Sequence, residues 1–157
     1  MDSILTSQVM LSAGTQTGKA LLDVMPTDSE ILGFTNQWYK EGLENREWIS
    51  VDGEVSIPRS TLPYYLASKW EAVKNRGKND WRLSKDMEDI ITLVNNNTLN
   101  LIPSNADEKV IQYLKNSFDE LLENKYAREI ILSHLSGVDR SNVDGLHNDI
   151  KSFINAN

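Results

Sequence analysis

The stretch from Leu62 to Val94, LPYYLASKWEAVKNRGKNDWRLSKDMEDIITLV, constrains this chain more than any other. It predicts a helix, a short basic connector and a second helix. Pro63 suits a first helical turn, where its missing N–H would be unpaired in any case. Leu66, Trp70 and Val73 stand at i, i+4 and i+7 on one helical face, and Lys69 borders that face. KNRGKND then breaks the pattern with glycine and charge. Ser84 is placed to cap the next helix, with Asp86 in the first turn, where the helix dipole favours an acid. Met87, Ile90, Ile91 and Val94 repeat at i, i+3, i+4 and i+7, while Asp86 and Asp89 share a second edge three residues apart. Lys69, the two acids and the connector's basic residues can therefore converge across a helix pair. The plainer reading is that charges flanking an apolar stripe form a solvated face.

Before this stretch the period is two. Residues 4–11 and 19–25 are rich in Ile, Val and Leu and predict a hairpin, with Asp23 interrupting its second strand. A lone acid there caps a strand end or meets a cation. Thr27, Asp28 and Ser29 precede a short helical pattern, and Trp38 and Tyr39 anchor another that Gly42 is placed to end. In WISVDGEVSIP, Asp52-Gly53 between alternating runs predicts a two-residue type I′ hairpin. After Val94 no strand pattern survives. Ser104 with Asp107 reads as a capping box for a helix through Val110, Leu114 and Phe118. A second helix carries Ala127, Ile130, Ile131 and Leu135 and is placed to stop at Gly137; a third starts near Ser141. The expected class is α+β: a small antiparallel sheet of β-hairpins, then a helical C-terminal region. The expected division is residues 1–102, including the central helix pair, and a helical extension over 103–157 packed on it.

Composition narrows the function. Net charge is −7, which disfavours non-specific nucleic-acid binding, although Lys69, Lys74, Arg76, Lys78, Arg82 and Lys85 cluster locally. With no cysteine, thiol chemistry and disulfides are excluded, and His134 and His147 have no zinc-site spacing. No segment predicts a membrane span or a signal peptide, so a cytoplasmic protein is expected.

ASKWEAV at 67–73 and SKDMEDII at 84–91, joined by a short basic loop, resemble the C-terminal motifs of the AbiEii-type (abortive-infection toxin) nucleotidyltransferase family. Its Lys-x-x-Ala helix is matched by Lys69 with Ala72, and its Asp-x-x-Asp helix by Asp86 with Asp89. LLDVMPTDSEILGFTNQWYKEGL is also similar to relatives of the family, in which a strand aspartate, matched by Asp23, is the third carboxylate of the metal site. The similarity covers about residues 20–95. It implies a truncated nucleotidyltransferase-like fold with Asp23, Lys69, Asp86 and Asp89 as catalytic residues. Lys69, Arg76 and Lys78 would contact nucleotide phosphates, and Asp23 would be a metal ligand.

The family's Gly-Ser and Asp-x-Asp elements have no counterpart before Asp23, where Asp2 is the one acid. Nucleotidyl transfer needs two or three carboxylates around Mg²⁺, so Mg²⁺ is expected only if other groups complete the site. Two expectations follow. One is a nucleotidyltransferase-like protein, catalytically incomplete, related to toxin–antitoxin or phage-defence systems and taking a nucleotide as partner. The alternative is a non-catalytic protein-binding or assembly module that forms a homodimer.

Overall fold

A computed structural model describes residues 8–12, 21–25, 36–51, 53–76, 80–96, 98–103 and 105–156, the first two segments as backbone. The alternating runs near the N-terminus form β1 (Gln8–Ser12) and β2 (Leu21–Met25), antiparallel, with Met10 opposite Asp23. The helical pattern expected after Thr27 and the turns at 13–20 lie outside the described residues.

Helix α1 (Trp38–Glu44) follows. The Asn36 side chain accepts from the Trp38 N–H at 3.1 Å and donates to the Ser68 carbonyl at 3.0 Å, fixing where α1 begins. Gly42 does not end this helix, as its type suggests, but lies buried inside it. A Cβ there would sit 2.8 Å from Ser60 Oγ, so glycine serves a close approach to the next hairpin.

That hairpin is β3 (Arg46–Val51) and β4 (Val55–Ser60). Its register pairs Val51 with Val55 and Ile49 with Ile57. The connection is therefore three residues long, not the two that Asp-Gly predicts; Asp52 itself lies outside the described residues. Gly53 supplies a φ of +75°, and the Glu54 N–H donates to the Val51 carbonyl at 3.4 Å. The reason for the extra residue is pairing. A two-residue loop would set Val51 against Glu54, whereas three residues bring the apolar sets of both strands face to face.

Helix α2 (Leu62–Arg76) and helix α3 (Lys85–Asn95) form the expected pair, and the described part of their connector includes a 3₁₀ turn at Trp81–Leu83. Leu66, Trp70 and Val73 meet Met87, Ile90, Ile91 and Val94 in one buried cluster. The connector is closed by aromatics: the Trp81 ring packs edge-on against Trp70 at 5.7 Å, and Phe118 meets the same indole at 5.3 Å. Ser84 Oγ accepts from the Met87 N–H at 3.3 Å, the cap its sequence position calls for.

A 3₁₀ turn at Thr98–Leu101 leads to α4 (Glu108–Glu123), α5 (Ala127–Ser133), a 3₁₀ segment at Gly137–Asn142 and α6 (Val143–Asn155). Three boundaries differ from expectation. Asp107 caps α4, accepting from the Lys109 N–H at 2.8 Å; Ser104 lies outside the described residues. Helix α5 stops at Ser133, and Gly137, at φ +55°, opens the 3₁₀ segment instead. That segment delays α6 to Val143, so Ser141 is not its cap. The apolar cluster is continuous from Trp38 through α2 and α3 to Ile150 on α6. The class is α+β, with two hairpins and the short α1 between them up to Ser60 and helices after. No described helix is long and apolar enough to cross a membrane.

Candidate functional site

Lys69 leaves α2 one residue before the buried Trp70, so its stem lies along the core while its ammonium reaches the α2–α3 seam. There it meets both acids of the next helix. Lys69 Nζ is 2.6 Å from Asp89 Oδ2 and 3.3 Å from Asp86 Oδ1. Asp86 in turn accepts from Arg76 Nη2, at 3.1 Å through Oδ2 and 3.3 Å through Oδ1. The Lys69 and Asp86 side chains are 21% and 14% exposed, too enclosed for water to screen the pair fully. Below them the Tyr65 ring centroid lies 5.7 Å from the ammonium. Burial opposes the charge on Lys69, but Asp89, Tyr65 and Asp86 outweigh it and hold its pKa above the ordinary lysine value. Burial also raises the Tyr65 hydroxyl; Lys69 pulls the other way, and the two aspartates add to the rise.

The structure thus brings together four of the residues singled out in the sequence: Lys69, Arg76, Asp86 and Asp89. Asp23 is placed by its backbone in β2, and its side chain lies outside the described residues, as does Lys78. Chemically the cluster is balanced, two cations against two carboxylates. An ammonium within 3.3 Å of both aspartates stands where a divalent cation would have to sit. A phosphate approaching Lys69 would compete with the two carboxylates already bound to it and would meet their like charge. Among the described residues no group of three His, Cys, Asp or Glu side chains gathers for a metal.

Other polar contacts escaped the sequence reading. Tyr113 OH donates to Glu71 Oε2 at 2.7 Å, joining α4 to α2, and Lys74 Nζ stands 5.0 Å over the same ring while pairing with Glu120 at 3.1 Å. Arg82 is forked onto Asp80 at 2.7 Å and reaches Glu129 of α5 at 3.0 Å. His134 Nε2 lies 2.8 Å from the Trp81 carbonyl. Tyr65 stands four residues before Lys69, a helical neighbour legible from spacing. Glu71–Tyr113 and Arg82–Glu129 are long-range and leave no local signal.

Family models, curated proteins and solved structures yield no match to this chain. The nucleotidyltransferase expectation rests on the residues between about 20 and 95.

Proposed function

We propose that this chain is a nucleotidyltransferase-like module that does not itself transfer nucleotide, and whose helix pair serves as a charge-clamped scaffold. One observation carries the reading: Lys69 Nζ is held between Asp86 and Asp89, at 3.3 and 2.6 Å. A lysine that serves phosphates needs free N–H donors, and acids that serve Mg²⁺ need open oxygens; here Lys69 is turned to both aspartates, and Asp86 is held by Arg76 as well. Nucleotide binding, in this reading, is weak and confined to the surface around Lys69 and Arg76. The test is incubation with labelled nucleoside triphosphates, Mg²⁺ or Mn²⁺, and a pool of RNA or protein. No label transfer is expected. Transfer abolished by both Asp23→Ala and Lys69→Ala would contradict the reading and show that further carboxylates complete the site.

A second reading, an assembly module that forms homodimers, is favoured by a different observation. In the β3–β4 hairpin Trp48 is 63% and Val55 57% exposed, on a two-stranded sheet of the kind that is marginal alone in water. Sedimentation across a concentration series tests it: mass rising toward two chains is expected, and one chain at every concentration would oppose it.

A further inference from the structure

We propose that β3 is a pairing edge whose partner is β3 of a second copy of this chain, antiparallel and centred on Trp48. This rests on the assembly reading and specifies its surface.

The two edges of the β3–β4 hairpin are not equivalent. Trp48 is opposite Pro58, which has no N–H to give. Trp48–Pro58 is therefore a non-hydrogen-bonded pair, and by the alternation of an antiparallel ladder so are Ser50–Ser56 and Arg46–Ser60. The backbone groups of Ser56, Pro58 and Ser60 face out along β4; those of Arg46, Trp48 and Ser50 face out along β3. On the β4 side the proline removes a donor, and α1 lies against that strand. On the β3 side there is neither proline nor glycine, and among the described residues no further strand pairs with it. Proteins normally blunt the edges of a sheet; among the described residues β4 is blunted by its proline and by α1, and β3 by neither a proline nor a covering element.

The occupant follows from register and charge. Centred on Trp48, an antiparallel β3 pair engages all three outward-facing residues: Trp48 meets its own copy, and Arg46 meets the second copy's Ser50. Glu47 falls opposite Ile49 of the other chain, so no like charges oppose. A centre one residue earlier would set Glu47 against Glu47, which is unfavourable, and a centre one later would push Arg46 past the strand end. The two strands carry Arg46, Arg59 and Glu47, a small positive balance in a chain of net charge −7, so two copies meet there with little repulsion. Pairing about a two-fold axis uses the β3 edge of each copy and closes. The product is a four-stranded sheet, β4–β3–β3–β4, that joins the Ile49, Val51, Val55 and Ile57 faces.

The test compares the native chain with Ser50→Pro and Trp48→Cys. The Ser50 N–H faces away from β4, so a proline there spares the hairpin and blocks the edge. Sedimentation velocity should show dimerisation of the native chain weakened at least about tenfold in Ser50→Pro, with circular dichroism unchanged. Because the chain has no cysteine, Trp48→Cys introduces a single thiol at the two-fold centre. Paired residues there lie about 5.5 Å apart at Cα, within disulfide range. Mild oxidation should cross-link Trp48→Cys into dimers and leave Thr92→Cys, on the exposed side of α3, single. This arm decides the matter even if Ser50→Pro does not fold. A dimer untouched by Ser50→Pro, with Trp48→Cys cross-linking no faster than Thr92→Cys, overturns the β3 edge and leaves the assembly reading standing. A strict monomer at every concentration removes both.

Discussion

Lys69→Ala removes the ammonium from between Asp86 and Asp89 and leaves Asp86, 14% exposed, to Arg76 alone. The expected loss is about 1–3 kcal/mol in urea unfolding, the range for truncating one partner of an enclosed, charge-assisted hydrogen bond. Arg59→Ala, which breaks a pair to Glu47 exposed by half on both sides, should cost less than about 1 kcal/mol. Alkaline pH makes a second test at the same scale. Burial, then the Glu71 carboxylate, raise Tyr113 well above the ordinary tyrosine value of 10.0; burial raises Tyr64 and Tyr65 as well. Lys69 is also raised, from an ordinary 10.5. A group whose folded pKa exceeds its unfolded one adds stability that is complete below the unfolded value and lost as pH climbs through the folded value. The melting temperature should therefore hold flat up to about pH 10 and fall steeply beyond it. Tyr113→Phe should make that fall shallower, as differential scanning calorimetry would show.

At the scale of elements, caps and turns give the sharpest expectations. Ser84→Ala removes the acceptor for the Met87 N–H and should cost about 1 kcal/mol. Gly53→Ala forces a side chain to φ +75° with open space around it, so the cost of about 1–2 kcal/mol is backbone strain alone. These two positions were legible because their signals are local: a serine before an apolar period, a glycine between alternating runs. The elements that differ from the sequence expectation depend on partners distant in sequence. Gly42 reads as a helix stop, and its purpose, room for Ser60, exists only once β4 has folded beside α1. The β3–β4 loop length follows from cross-strand pairing of Ile49 with Ile57, which a turn dipeptide does not encode. The delay of α6 to Val143 is a 3₁₀ segment that no cap residue announces.

Across the whole molecule, the apolar framework was the most legible part. Leu66, Trp70 and Val73 on α2 and the four buried residues of α3 are the ones their periodicity marks, because burial of one face leaves a repeat in the sequence. The candidate site was half legible. Spacing put Lys69, Asp86 and Asp89 at the edges of two adjoining helices; that they would satisfy one another is a matter of the distance between those helices, which spacing does not contain. In the proposed reading, this cluster clamps the fold rather than awaiting a nucleotide. Its most direct test is a double-mutant cycle of Lys69→Met and Asp89→Asn in denaturant unfolding, run with and without Mg²⁺ and a nucleoside triphosphate. The clamp predicts a coupling of about 0.5–3 kcal/mol that the ligands leave unchanged. Negligible coupling, together with ligand stabilisation of the native chain that both substitutions abolish, would contradict it.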